Sequence, residues 1–258
     1  MLSLDALRGL IMMLMAIDHA SLFIAKVHQS EFWNAPLPHY HDALTFLTRF
    51  VTHLCAPGFF FLMGTSMVLF AESRRRVGWS EGKIACHFLL RGLLLIVLQY
   101  LVENQAWQLG MPPGYRLPTF FSGVLFGLGA TMIVCSWLLR FGSAALIGVS
   151  LSAVLATQIL IFRGNALVAY PPLLRLLLFP GQTGGDWYVL YPVVPWLGIA
   201  GLGLVFGKEL LRDRDRAYRN ASIVGAVFLL LFVAVRWLGG FGDFHPSDKT
   251  SWIAFLNV

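Results

Sequence analysis

Runs of about 20 apolar residues recur along almost the whole chain, and each is long enough to cross a bilayer as a helix. Charged residues make up only 12% of the sequence, against about 25% in a typical soluble domain. Because lipid offers no partners for backbone polar groups, we predict an all-α, polytopic membrane helix bundle. About seven spans are predicted, at roughly 5–26, 47–71, 84–104, 118–139, 142–162, 187–207 and 221–240.

The distribution of Lys and Arg predicts that the N-terminus is cytoplasmic. This threading puts twelve of the 19 basic residues on the cytoplasmic side, including "SRRR" (73–76) and "RDRDRAYR" (212–219). Short cytoplasmic loops carry such an excess in membrane proteins. The net charge of +6 therefore reflects topology, and we expect lipid and no nucleic acid as a partner. The expected location is the inner (plasma) membrane, as a multi-pass protein.

The chain shows no fixed repeat and no soluble second domain, so we expect a single membrane domain over residues 1–258. It stops at "SWIAFLNV", as a new apolar segment starts, and we expect further carboxyl-terminal helices beyond it. The three cysteines lie in apolar stretches without paired spacing. We therefore expect neither a disulfide framework nor a bound metal.

The first predicted helix carries charges that are costly in lipid and usually face a bundle interior. Arg8 and His19 are eleven residues apart, almost three whole turns, which places them on one face about 16 Å apart. Asp18 is rotated about 100° from His19 and is expected to orient or bias the imidazole from a neighbouring wall. Arg8 as a snorkelling anchor is the simpler alternative.

The second predicted helix repeats the pattern, because Arg49 and His53 lie four residues apart on one face. A kink is predicted at Pro57 and Gly58. Two successive helices with an Arg–His pair each indicate a shared cavity, although a membrane histidine can also simply bond across helices. The loop above this cavity adds His28, His39 and His41, and Glu103 is either an interfacial carboxylate or a cavity acid.

Two kinds of function fit a deep histidine with an arginine toward the cytoplasm. In a transporter the histidine relays protons. In a membrane acyltransferase basic residues hold a phosphate-bearing acyl donor, and histidine acts as general base on a hydroxyl or amine. Spacing alone leaves both open, with a structural membrane subunit as a third possibility.

The segments "LDALRGLIMMLMAIDHA", "FLTRFVTHLCAPGFFFLMGTS", "YPVVPWLGIAGLGLVFG" and "FLNV" resemble bacterial members of the heparan-α-glucosaminide N-acetyltransferase-like family. The Arg8-x10-His19 spacing is also similar to the motif of the related acyltransferase-3 branch of transmembrane acyltransferases. The resemblance covers nearly the whole chain. It implies that acetyl passes from cytosolic acetyl-CoA, or another acyl-CoA, to a sugar or glycan acceptor on the far side. A homo-oligomer is a further expectation.

The resemblance also implies site residues. By its similarity to the acyltransferase-3 branch, His19 is the general base. The lysosomal member of the heparan-α-glucosaminide N-acetyltransferase family has asparagine at this position, which implies instead that His19 is a supporting imidazole. That relative's loop histidine is most nearly matched by His28, so either residue is a candidate base. Asp18 would tune His19, and His53 would line the acceptor side. Arg8 and Arg49 are the predicted substrate-binding cations, with Arg8 on the donor and Arg49 beside His53, where both stabilise oxyanion charge.

Overall fold

The computed structural model describes residues 2–26, 38–40, 42–111, 114, 116–162, 177, 181–182, 186–240 and 251–257. These residues form a helical bundle, which confirms the prediction of an all-α membrane protein. Its helices are α1 (Leu2–Phe23), α2 (Ala43–Thr52), α3 (Cys55–Arg76), α4 (Glu81–Leu98), α5 (Asn104–Gly110), α6 (Val124–Leu138), α7 (Ser143–Phe162), α8 (Val193–Arg212), α9 (Arg214–Leu238) and α10 (Trp252–Leu256).

Five stretches within the described residues are long and apolar enough to cross a membrane. They are Ser3–Phe23, Ala43–Arg76, Glu81–Gly110, Val193–Arg212 and Arg214–Leu238. Helices α6 and α7 are apolar as well, but their qualifying lengths are shorter. The count of seven spans and the cytoplasmic N-terminus therefore stay predictions.

The second predicted span is divided into α2 and α3 by a break at His53 and Leu54. Pro57 explains the position of the break, because a proline lacks an N–H and its ring clashes with the carbonyl four residues earlier, here that of His53. Pro57 itself lies in the first turn of α3, where a helical N–H has no partner in any case. The interruption thus lies at His53 and Leu54, just before the predicted kink at Pro57 and Gly58.

Two predicted helices begin later than their apolar patterns suggest, because short strands precede them. Strands β1 (Phe120–Ser122) and β3 (Trp187–Val189) pair in parallel, and β2 (Gly181–Gln182) pairs antiparallel with β3. Aromatic residues suit such strands. Pro192 then disfavours helical backbone at Tyr191, so α8 starts only at Val193. The small sheet joins the amino-terminal ends of α6 and α8.

The third predicted span continues through a π-helical segment, Gln99–Glu103, into α5. Such π segments are rare, and they occur frequently at functional sites. The side chain of Gln99 is fully buried. It donates to Asn104 Oδ1 (2.9 Å) and accepts from the Phe126 backbone N–H (3.1 Å), which fastens the segment to the start of α6.

The core lies where α3 crosses α8, with α4, α6 and α7 packed around the pair. Glycines allow the crossing: a Cβ added at Gly64 would overlap the Ala200 carbonyl oxygen, and one at Gly203 would overlap that of Phe61. Thr65 Oγ1 donates across the crossing to the Gly203 carbonyl, at 3.1 Å. Small residues at helix crossings are typical of membrane proteins, because backbones there approach closely.

A valine at Gly203 is expected to force α3 and α8 apart, whereas a valine at Gly225 on α9 meets open space. Gly203→Val should lower the free energy of unfolding by roughly 1–3 kcal/mol or more. The two variants share the helix propensity change, so their difference isolates the steric effect. Thermal unfolding in detergent measures it, and equal stabilities of the two variants would contradict this packing.

Candidate functional site

One cavity of about 320 Å³ brings together residues from the first three helices and from the π-helical segment. We call it the histidine cavity, and its polar lining is Asp18, His19, Arg49, Thr52, His53, Cys55, Glu103, Trp107 and Tyr191. Four of the six predicted site residues thus line a single cavity. Thr52 and His53 enter this lining at the break between α2 and α3.

His19 is held in one orientation by the turn of helix before it. Its Nδ1 lies 3.0 Å from the carbonyl oxygen of Met15. Since a carbonyl oxygen can only accept, Nδ1 must carry the hydrogen, and a neutral ring then has its lone pair at Nε2. An edge contact with Trp107 (5.8 Å) and a tilted contact with Phe23 (6.0 Å) restrict the ring plane. His19 is therefore set to accept a proton through Nε2.

Asp18 is bound mainly by α2 and only secondarily by His19. Its Oδ1 accepts from Arg49 Nη1 at 2.6 Å and from Thr52 Oγ1 at 2.7 Å. The distance from Asp18 Oδ2 to His19 Nδ1 is 3.8 Å, too long for a hydrogen bond but short enough for an electrostatic influence. Both partners of the ion pair are largely buried, with side chains 16% and 17% exposed. The pair consequently joins α1 to α2 beside the candidate base.

Arg8 lines a different cavity, so the single shared cavity expected from the sequence is in fact two. This arginine cavity has a volume of about 640 Å³ and is lined by Arg8, Arg91 and Ser66 with apolar side chains of α3, α4 and α6. Arg8 donates to Ser66 Oγ (3.1 Å) and to Asp5 Oδ1 (3.3 Å). Phe59 lines both cavities and separates them.

None of the three loop histidines is seen in the lining of either cavity among the described residues. His28 and His41 lie outside the described residues. His39 is exposed and is absent from the lining of both cavities. The role of His28 as a candidate base stays a prediction.

Glu103 and Trp107 form a wall of the histidine cavity. Trp107 Nε1 donates to Glu103 Oε1 at 3.2 Å, and its ring meets His19. Glu103 Oε2 is buried and has no hydrogen-bond partner among the described residues. The sequence left Glu103 open between an interfacial and a cavity carboxylate, and the structure places it in the cavity. Glu103 is the last residue of the π-helical segment.

Within the described part of the chain, no group of three or more His, Cys, Asp and Glu side chains is arranged to hold a metal ion. The described cavity offers a proton acceptor at His19 Nε2 and a cation at Arg49. The absence of a metal stays a prediction for the whole protein.

Breaking the ion pair of Asp18 and Arg49 is expected to destabilise the fold, because removing one partner leaves the other charge buried. Arg49→Ala should cost about 3–5 kcal/mol of unfolding free energy. Adding Asp18→Asn to Arg49→Ala should recover part of that loss. A double-mutant cycle by thermal unfolding measures the coupling.

The exposed pair of Asp5 and Arg8, with side chains 66% and 46% exposed, is the matched control. Its coupling should stay under about 1 kcal/mol because water screens it. Equal couplings for the two pairs would show that burial of Asp18 and Arg49 has no energetic consequence.

Comparison with known protein families gives one finding that covers most of the chain. Residues 1–238 match the family model described as "Heparan-alpha-glucosaminide N-acetyltransferase, catalytic". The matched range includes both cavities and all of the helices that line them. No curated protein matches the chain.

Proposed function

The chain belongs to the heparan-α-glucosaminide N-acetyltransferase family, and we propose that it moves an acetyl group across the membrane from acetyl-CoA, or another acyl-CoA, to a sugar or glycan acceptor. The family and the apolar helices together indicate a multi-pass membrane acetyltransferase. An acceptor in the cell envelope, or an exported sugar, is the natural partner in a bacterial inner membrane. The donor, acceptor and inner membrane are parts of the proposal.

The observation that carries the proposal is the pair of cavities that meet at Phe59. They follow one another along α1, from Arg8 to His19, and along α3, from Phe70 back to Cys55. A donor whose arm lies in the arginine cavity would present its acyl group near Phe59. An acceptor in the histidine cavity would meet that group without either substrate crossing the bilayer.

The proposed reaction is general-base catalysis by His19. Nε2 takes the proton from the acceptor hydroxyl or amine as its oxygen or nitrogen attacks the acyl carbonyl carbon. The new bond forms as the thioester C–S bond breaks, and the donor's thiolate leaves and takes up a proton. The bond from Nδ1 to the Met15 carbonyl keeps the tautomer that this step requires.

Arg49 and His53 are proposed to stabilise the oxyanion that develops on the acyl carbonyl. Arg49 also holds Asp18, whose negative charge beside His19 would favour the imidazolium formed during the step. Arg8, bonded to Ser66, is proposed to contact the donor in the arginine cavity. The run Arg74–Arg76, at the end of α3 and on the same side, supports a cytoplasmic position for that cavity.

The first test is acetyl transfer by the purified full-length protein, followed by mass spectrometry of envelope glycans. His19→Ala should lower the rate of acetyl-CoA consumption about 100-fold or more, since general bases contribute that much. His28→Ala is the parallel variant, and a loss there with His19→Ala active would assign the base to His28. If the wild-type protein shows substrate counterflow and makes no acetylated product, the result would support a transporter function instead.

A second test uses the residue between the cavities. Phe59→Ala should enlarge the space for the acyl chain and raise the preference for butyryl-CoA over acetyl-CoA roughly tenfold. Phe61, which packs against Phe206 and is absent from both cavity linings, provides the control. An unchanged preference in Phe59→Ala would contradict transfer at the junction of the two cavities.

A further inference from the structure

A cluster of aromatic rings and cations lies where α3 ends and α4 begins. We call Phe70, Arg74, Trp79, Lys83 and His87 the Trp79 cluster. The Arg74 guanidinium lies 4.9 Å from the Phe70 centroid and 5.3 Å from that of Trp79. Lys83 Nζ lies 4.4 Å over the Trp79 ring, and the His87 ring stacks on Phe70 at 4.5 Å. The cluster is thus a set of flat surfaces that carry positive charge.

Two polar atoms of the cluster are buried without a hydrogen bond. Arg74 Nε and His87 Nε2 have no partner among the described residues. A buried donor left unpaired costs free energy comparable to its desolvation, so an acceptor from outside the described chain would relieve the cost. Both side chains contact the same Phe70 ring, which keeps them close enough to serve one ligand.

The neighbouring carboxylates do not neutralise the cluster, because other arginines bind them. Arg75 binds Glu81 through two bonds, Nε at 2.6 Å and Nη2 at 2.9 Å. Arg76 binds Glu72, with Nε at 3.1 Å. The charges of Arg74 and Lys83 therefore remain to attract an anion. The simple alternative, that all these residues are topology anchors, does not account for the difference between Arg74 and its two neighbours.

The Trp79 cluster adjoins the arginine cavity. Phe70 lines that cavity, and so does Phe88, whose ring lies 5.5 Å from His87. Arg91, one helical turn beyond His87 on the same face of α4, also lines it. A ligand with its anionic head at the cluster could extend a slender, mostly uncharged arm along the cavity to Phe59.

We infer that Arg74, Trp79 and His87 form the subsite for the phosphorylated nucleotide end of the acyl-CoA donor. The inference rests on the proposed function and names where the donor's head is held. Phosphate oxygens accept from Arg74 Nε and His87 Nε2, since charge-assisted bonds from arginine suit phosphate. The aromatic base of the nucleotide lies against the exposed part of Trp79. The positive charge of Lys83 attracts the phosphates without a specific bond. The phosphate of a lipid head group has the same chemistry, and the experiment separates the two sources.

The test compares acetyl-CoA with S-acetylpantetheine, which has the same thioester arm but no nucleotide or phosphate. In the full-length protein, Arg74→Ala should raise KM for acetyl-CoA about tenfold or more, as expected for lost bonds to a charged group. The kcat/KM value for S-acetylpantetheine should stay at the wild-type level. His87→Ala should shift the same ratio in the same direction.

Arg76→Ala is the matched control, because it removes the same charge from the same helix end but a residue paired with Glu72. It should leave KM and kcat/KM for both donors at the wild-type level. Equal losses for both donors in Arg74→Ala would overturn the inference in favour of a structural or lipid-binding role. Recovery of the activity of Arg74→Ala on addition of anionic phospholipid would identify a lipid head group, and not the donor, as the ligand of the cluster. An unchanged KM for acetyl-CoA would overturn it as well.

A binding measurement keeps this inference separable from the proposed function. Acetyl-CoA should raise the melting temperature of the wild-type protein and of Arg76→Ala, but not that of Arg74→Ala. If acetyl-CoA stabilises the wild-type protein but no acetyl group is transferred, the proposed transferase activity is refuted and the nucleotide subsite is retained. Acetyl transfer at the wild-type rate and KM by Arg74→Ala would refute the subsite and retain the transferase.

Discussion

The close crossing of α3 and α8 is the constraint on which the rest of the structure depends. Gly64 and Gly203 let the two backbones touch, and a bond from Thr65 spans the contact. Helices α4, α6 and α7 pack around this pair, and both cavities open along α3. In lipid the hydrophobic effect does not drive helices together, so such close packing and interhelical bonds carry the association.

The site depends in turn on one buried ion pair and one helix break. Pro57 explains the interruption of the helical hydrogen bonds at His53, and just before it Arg49 and Thr52 bind Asp18. The pair holds α1 against α2, and this fixes the position of His19. Because charges in such surroundings are costly when alone, a polar centre built in this way is maintained only as a unit.

In the proposed transfer reaction, the two cavities would hold different substrates, because their linings differ. The arginine cavity is largely apolar apart from Arg8, Arg91 and Ser66, which suits a long thioester arm. The histidine cavity is smaller and has polar groups on several walls, which suits a hydroxylated acceptor. Phe59 between them would limit both the passage of water and the size of the transferred group.

The sequence by itself determined the class of fold and several polar residues of the candidate site. Length and hydropathy of the apolar runs predict membrane helices because lipid permits few alternatives, and the cost of charge in lipid singled out Asp18, His19, Arg49 and His53, which share a cavity. Only the tertiary structure decided that Arg8 lies in a separate cavity, that Asp18 pairs with Arg49, and that Glu103 and Trp107 face His19. Helical periodicity gives the face of one helix, whereas partners across helices depend on crossing angles, a break and a π-helical segment that arise from packing.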